Sequence, residues 1–186
     1  MIQKLKIAIA EDNSFLLQSI KDKLSLIDNV QIKHCSENGE VLLKNLEKYH
    51  QIDLVLMDIQ MPKMDGIEAT SILKSKYPQI KVVMLTVFDD DEYVFRAIQA
   101  GADGYLLKET GPAELENSLN QIIDGGAPMT PIIASKALQL LRHTPEFLKE
   151  KEENPLSKRE TQVLEQLSKG LNYQEIAENL IISPST

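Results

Sequence analysis

The chain has little cysteine, no tryptophan and no long hydrophobic run. Its one cysteine, Cys35, has no partner within the chain for a disulfide, which favours a reducing compartment. No apolar run approaches the ~20 residues that cross a membrane. The apolar segment at residues 5–10 is too short for a signal peptide, and Glu11 and Asp12 follow it at once. We therefore expect a cytoplasmic protein with no membrane partner.

An excess of positive charge is also missing. The 20 lysines and arginines are outnumbered by 28 aspartates and glutamates, so the net charge is −8. This charge argues against a surface that binds nucleic acid throughout. The 186 residues allow one or two domains, and a hydrophobic fraction of 42% is enough for a packed core.

Short apolar runs alternate with helical patterns over the first two thirds of the chain. The runs lie at residues 5–10, 30–35, 53–57, 81–85 and 104–107. Runs of this length are typical of strands buried on both faces of a parallel sheet. Apolar residues with helical spacing follow each of them. The pattern predicts an α/β fold, a doubly wound five-stranded parallel sheet over residues 1–125.

The pattern changes after Gly126. A helix beginning at Thr130-Pro131 and a charged stretch at 143–155 with a proline near each end indicate a linker with one helix over residues 126–155. Two short helical patterns follow, the first opened by a capping box. They predict an all-α helix-turn-helix over residues 156–186 that is incomplete.

Polar residues follow the ends of four predicted strands: Glu11 and Asp12, then Asp58, Thr86 and Lys108. In an open α/β sheet, sites form outside the carboxyl ends of the strands where the strand order reverses. If the first and third strands are neighbours, three carboxylates converge there with a lysine and a hydroxyl beside them. A lone aspartate at a strand end is usually a turn or cap residue, but this set is much harder to obtain by chance.

Clustered carboxylates repel one another unless a cation lies among them, and Mg²⁺ prefers such oxygen ligands. A carboxylate beside Mg²⁺ can attack a phosphoryl group to give an aspartyl phosphate. Other acidic residues have a simpler interpretation. We expect Asp65 to cap a helix, and residues 89–92 to cap and complement the N-terminus of another.

The motif "MDIQMPKMDG", with "AED" before it and "LT" and "LLK" after it, resembles the response-regulator receiver domain. The stretch from "LTVFDDDEY" to "YLLKET" resembles the NarL/FixJ type, and "LSKRETQVLEQLSKGLNYQEIAENL" resembles the start of the LuxR-like helix-turn-helix of that type. The resemblance covers nearly the whole chain and implies a flavodoxin-like sheet of order 2-1-3-4-5.

The resemblance also implies roles for seven residues. Asp58 would be the phosphoacceptor. The Mg²⁺ ligands would be Asp12, Asp58 and the backbone carbonyl of Gln60, with Glu11 acting through a metal-bound water. The phosphoryl group would be contacted by Thr86 and Lys108, and Tyr105 occupies the aromatic-switch position.

A regulator of this kind is phosphorylated by a sensor histidine kinase, and phosphorylation controls dimerisation, DNA binding and transcription. Many receivers have a proline after the lysine, often joined by a cis bond, whereas Glu109 follows Lys108 here. A non-proline cis bond costs about 2.5–4 kcal/mol. We therefore expect a trans bond and a locally different loop.

Three alternative functions are open to test. A phosphatase with an aspartyl nucleophile would need a second acid two residues after it, where Gln60 stands, so we expect no enzyme. A receiver serving only as a docking module would not need residues 156–182. A nucleotide-binding Rossmann domain would need a glycine-rich loop after the first strand, and none is present.

The final "SPST" is a helix start signal, with Ser183 at the N-cap and Pro184 at the first helical position. In the family the recognition helix begins at this point. Residues 126–186 carry seven basic and eight acidic side chains, so no basic patch is expected. We therefore expect a fragment of a longer regulator that does not bind DNA specifically, with DNA a partner only of the full-length parent.

Overall fold

The computed structural model describes the backbone of residues 4–49 and 51–150 and the side chains as far as residue 142. The five strands are β1 (Leu5–Ala10), β2 (Val30–Ser36), β3 (Leu54–Met57), β4 (Lys81–Thr86) and β5 (Gly104–Leu107). The six helices are α1 (Ser14–Ser25), α2 (Gly39–Lys48), α3 (Gly66–Lys76), α4 (Asp91–Gln99), α5 (Pro112–Ile123) and α6 (Pro131–Glu150). The predicted helix-turn-helix at 156–186 lies outside the described residues.

The strands form one parallel sheet of order β2-β1-β3-β4-β5, which confirms the predicted fold class. The apolar runs predicted the strand positions because both faces of the sheet are covered, so alternate residues on either face are buried. All four residues of β3 and of β5 are buried. On one face, Ile9, Leu56 and Leu106 join a core to which α1 and α5 contribute.

The helix ends follow local capping chemistry. Asp65 caps α3 as predicted, since its Oδ1 accepts a hydrogen bond from the amide of Glu68 at 2.7 Å. Asn13 caps α1 in the same way. The acidic residues of α4 differ in part from the expectation. Asp91 and Glu92 lie in the first turn, but the N-cap residue Asp90 makes no side-chain capping bond.

The helix predicted after Thr130 is α6, and its backbone continues to Glu150, into the stretch interpreted as linker. The compact unit that contains the sheet extends to Arg142. Before α6, the chain runs beside β5: the Tyr105 amide donates to the Pro128 carbonyl at 2.9 Å. Ile133 of α6 is buried in the same unit. Among the described residues, no helix is long and apolar enough to cross a membrane.

Asp103 connects three elements just before β5. Its Oδ2 accepts hydrogen bonds from Lys74 Nζ of α3 and from the amide of Val82 in β4, both at 2.9 Å. Its Oδ1 accepts one from Lys81 Nζ at 3.0 Å. Burial acts to raise the pKa of Asp103, but these hydrogen bonds outweigh it and hold the pKa below its usual value of 3.8.

We expect Asp103→Asn to lower the free energy of unfolding at pH 7 by about 1–3 kcal/mol, because hydrogen bonds to a charged group are lost. A lowered pKa means that the ionised carboxylate stabilises the fold above the ordinary value, and that this contribution is lost as pH falls through the folded pKa. The difference between wild type and variant should therefore shrink below about pH 4. Urea unfolding across pH would measure it, with the exposed Asp28→Asn as control. Equal losses in both variants at pH 7 would contradict the assignment.

Candidate functional site

The ends of β1 and β3 meet at the carboxyl edge of the sheet. The two strands are neighbours with Ala10 opposite Met57, and the Asp58 amide donates to the Ala10 carbonyl at 2.9 Å. The register therefore places Glu11 and Asp12, which follow β1, beside Asp58, which follows β3. Carboxylate oxygens of these three residues all lie within 4.8 Å of one another. The predicted convergence of three acids is present in the fold.

Two of the three carboxylates are removed from solvent. Glu11 is 2% exposed and Asp58 is 6% exposed, whereas Asp12 is exposed. The Asp58 side chain is oriented locally, since its Oδ1 accepts a hydrogen bond from the amide of Ile59 at 2.8 Å. Burial is the main cause that raises the pKa of Glu11. The adjacent ammonium of Lys108 lowers this pKa, and the negative charge of Asp58 raises it further.

Lys108 is the positive charge of the cluster. Its Nζ donates to Asp58 Oδ2 at 2.8 Å and lies 2.6 Å from Glu11 Oε2. The side chain is only 7% exposed, so the three groups form a buried ion-pair network. The amide of Lys108 donates to the carbonyl of Thr86 at 2.8 Å, because β4 and β5 are paired up to this point. The Lys108 ammonium therefore pairs with two of the three clustered carboxylates.

The excess of negative charge suits a divalent cation. Glu11 Oε2 is close to Lys108 but has no hydrogen bond of good geometry with a described residue. Asp12 makes no hydrogen bond or ion pair with any described residue. Both carboxylates are thus available as oxygen acceptors, for a metal ion or for a metal-bound water, and Mg²⁺ prefers oxygen ligands of this type. The residues present fit Mg²⁺.

Beside the acids lies an open polar cavity of about 510 Å³, with Asp12, Gln60 and Asp65 among its lining residues. Gln60 is exposed, and its Nε2 donates to the Tyr93 hydroxyl of α4 at 2.7 Å. The cavity gives the acidic cluster access from solvent. No second acid stands at position 60 to act in hydrolysis.

Thr86 and Tyr105 lie in β4 and β5, the two strands that follow β3 in the sheet. Thr86, the last residue of β4, is fully buried, and its Oγ1 accepts a long hydrogen bond of 3.4 Å from the amide of Phe88. Tyr105 of β5 is 1% exposed, and its hydroxyl donates to the Phe88 carbonyl at 2.7 Å. Burial and then the charge of Asp89 raise the pKa of Tyr105, so the hydroxyl remains a donor. Both residues therefore contact the loop between β4 and α4.

The sequence patterns did not identify Lys23, Gly66 or Lys136 as residues near the site. Gly66 begins α3 and packs against the backbone of Asp58. Lys136 of α6 donates to the Asp89 carbonyl and lies 3.4 Å from the Asp89 carboxylate. The Lys136 contact joins residues 47 positions apart, so no local spacing could have indicated it. Gly66 is the last residue of the motif at 57–66, but the motif alone does not show its contact with Asp58.

Comparison with known proteins agrees with this geometry. Residues 7–120 match the family described as response regulator receiver domain. Residues 154–186 match bacterial regulatory proteins of the luxR family. The chain belongs to the response regulators. As a response regulator with a LuxR-type segment, it is a two-component signalling regulator of the kind that regulates transcription.

Individual relatives of this response regulator are similar to it over most of their own length. YxjL of Bacillus subtilis, an uncharacterized transcriptional regulatory protein, is 35% identical over 184 residues, covering 98% of this chain and 84% of YxjL. A LuxR-family DNA-binding response regulator of Staphylococcus aureus is 31% identical with a TM-score of 0.60, covering 63% of this chain and 98% of that one. The RcsB response regulator of Salmonella typhimurium has a TM-score of 0.67 at 22% identity over 98% of this chain and 86% of its own, which shows the shared fold.

Gly66 is required at the first position of α3, where the helix approaches the backbone of Asp58. A Cβ at this position would lie 1.8 Å from the carbonyl oxygen of Asp58 and 2.9 Å from Met57 Cγ. The first of these neighbours is backbone, so a side chain could fit only if the Asp58 peptide moved.

We expect Gly66→Ala to lower the free energy of unfolding by about 1–3 kcal/mol, as overpacking does in a close-packed site. Urea denaturation would measure the loss. The matched control is Gly111→Ala at the N-cap of α5, where no atom lies within 4 Å of the added Cβ. Its cost should stay below about 1 kcal/mol. Equal destabilisation by the two substitutions would show that the close contact at Asp58 is not the cause.

Proposed function

We propose that Asp58 is the phosphoacceptor of this response regulator and that a sensor histidine kinase supplies the phosphoryl group. The observation that carries the proposal is the position of Asp58. It is buried between an acidic pair that can hold a cation and a lysine that can hold a phosphoryl oxygen. A carboxylate oxygen of Asp58 attacks phosphorus while the bond from phosphorus to the donor imidazole nitrogen breaks. The nitrogen keeps the electron pair of that bond, and the product is an acyl phosphate.

The chain's own residues have distinct roles in this proposal. Asp12, Asp58 and the carbonyl of Gln60 hold Mg²⁺, and Glu11 holds one of its waters. Bound there, Mg²⁺ neutralises charge on the phosphoryl oxygens. Lys108 already lies against Asp58 and needs little movement to contact a phosphoryl oxygen. Thr86 donates its hydroxyl to another.

The output of the switch is proposed to pass through the loop between β4 and α4. Phosphorylation adds roughly −1.5 to −2 charges and strong acceptor oxygens, so Thr86 is drawn toward Asp58. The hydrogen bond from the Phe88 amide to Thr86 Oγ1 is long, and therefore weak. Phe88 also accepts from Tyr105, the proposed aromatic switch, and Asp89 next to it binds Lys136 of α6. A movement of this loop would therefore reach both the β5 edge and α6.

At the level of the whole chain we propose three parts: a phosphoreceiver domain over 1–125, a linker with one helix over 126–155, and a LuxR-type DNA-binding segment over 156–186. Phosphorylation controls dimerisation in the cytoplasm and, through it, transcription. The match of residues 154–186 to the luxR family favours this output over a docking module. The absence of an acid at Gln60 favours signalling over phosphatase turnover.

We expect incubation with phosphoramidate and Mg²⁺ to add one phosphate to the wild-type chain, and Asp58→Asn to add none, because the amide is not nucleophilic. Intact-mass spectrometry would measure the addition, and lability to hydroxylamine would identify an acyl phosphate. Asp28→Asn, an exposed aspartate remote from the cluster, should be phosphorylated like wild type. Undiminished phosphorylation of the Asp58→Asn variant would place the acceptor elsewhere.

We expect Mg²⁺ to raise the melting temperature of the wild-type chain, since a ligand that binds only the native state stabilises it by mass action. Asp12→Ala should remove most of this rise because one direct ligand is lost. Differential scanning fluorimetry over a Mg²⁺ titration would measure both, with Ca²⁺ and NaCl series to separate specific binding from screening. Equal Mg²⁺-dependent rises in the two proteins would count against Asp12 as a ligand.

A further inference from the structure

Lys23 reaches from α1 to the loop that follows β5. It lies in the last turn of α1, and its Nζ donates to the backbone carbonyl of Lys108 at 2.6 Å and to that of Thr110 at 2.9 Å. The donor and acceptors are 85 and 87 residues apart in the chain. These contacts connect α1 to the backbone that carries the lysine of the acidic cluster.

The Lys108 backbone is thereby held on both sides. Its amide donates to the Thr86 carbonyl at 2.8 Å, and its carbonyl accepts from Lys23. The loop then turns, with the Thr110 amide donating to the Leu107 carbonyl at 3.0 Å. No cis peptide bond occurs in the described residues, so the Lys108–Glu109 bond is trans as expected. With the peptides on both sides anchored, the Cα–Cβ direction of Lys108 is set toward Asp58 and Glu11.

The ordinary role of a lysine in the last turn of a helix does not explain this geometry. Complementing the helix dipole is worth about 0.3–1 kcal/mol at an exposed position and needs no specific acceptor. The Lys23 ammonium is instead in a partly buried contact, makes no ion pair with a described carboxylate, and uses carbonyls of another element. Charge-assisted hydrogen bonds of this kind restrict the loop more than neutral ones do.

We infer that Lys23 is a positioning residue for phosphoryl transfer, acting through Lys108. By holding the two loop carbonyls, it keeps the Lys108 side chain at the distance where it meets Asp58 and, after transfer, a phosphoryl oxygen. This role rests on the proposed function of Asp58. Lys23 itself touches neither the acids nor the donor.

The test compares phosphorylation rates of full-chain variants with phosphoramidate at saturating Mg²⁺. Lys23→Met keeps the aliphatic stem and removes the donors; its maximum rate should fall about tenfold, because small misplacements of a positioning group cost one to two orders of magnitude. The half-saturating phosphoramidate concentration should stay unchanged. Lys23→Arg retains charged donors and should recover most of the rate. Lys23→Gln is uncharged and one atom shorter than lysine, so its rate should also fall, and it provides a second test if the methionine variant folds poorly.

The matched control is Lys21→Met, two residues earlier on α1, because the Lys21 side chain makes no hydrogen bond or ion pair with a described residue. It should be phosphorylated at the wild-type rate. A wild-type maximum rate in both Lys23→Met and Lys23→Gln would overturn the inference. Since Asp58 would still be phosphorylated in that case, the proposed acceptor would stand.

A double-mutant cycle separates positioning from a general structural effect. In a Lys108→Met background, adding Lys23→Met should change the rate less than twofold, because the group that Lys23 positions is gone, and residues acting as a unit are not additive. If the double variant instead shows the full additional tenfold loss, Lys23 acts by a route other than Lys108 and the inference fails.

Discussion

The structure of the site depends on one electrostatic constraint: three carboxylates lie together at the carboxyl edge of the sheet, and the ammonium group of Lys108 pairs with two of them. Burial strengthens every charge interaction there, so the buried pair of Asp58 and Glu11 is tolerable only with a cation against it. Lys108 meets that need in part. The remaining negative charge explains why the site suits a divalent ion, and why a phosphoryl group bound with that ion would alter the contacts of its surroundings.

Such a charge balance requires a rigid support. The parallel pairing of β1, β3, β4 and β5 brings the ends of four strands to one edge, and the Asp58 amide and the Lys108 amide are each held by a neighbouring strand. Gly66 packs against the backbone of Asp58 in the loop after β3. Lys23 donates a hydrogen bond to the carbonyl of Lys108 in the loop after β5. The acidic site is thus built from strand ends and supported by helices on both faces of the sheet.

The same edge connects to the last described helix. The Phe88 carbonyl accepts a hydrogen bond from the Tyr105 hydroxyl, and the Asp89 carbonyl accepts one from Lys136. The Tyr105 amide donates to the Pro128 carbonyl, in the segment before α6. A change at Thr86 therefore has a continuous set of contacts to follow, from the acids through the loop after β4 to the start of α6. Under the proposed function, phosphorylation of Asp58 would act by rearranging these contacts.

The sequence by itself was sufficient for the strands, the fold class and the residues of the acidic cluster. Buried parallel strands appear as apolar runs whose ends are marked by the next polar residue, and Asp58, Thr86 and Lys108 are those residues. The cap at Asp65 was also readable, because capping is local. Only the tertiary structure decided which carboxylates are buried, that Lys108 pairs with both Asp58 and Glu11, and that Lys23 and Lys136 contact the loops beside the site. Those contacts depend on register, helix placement and side-chain reach across many residues, and a one-dimensional pattern contains none of these.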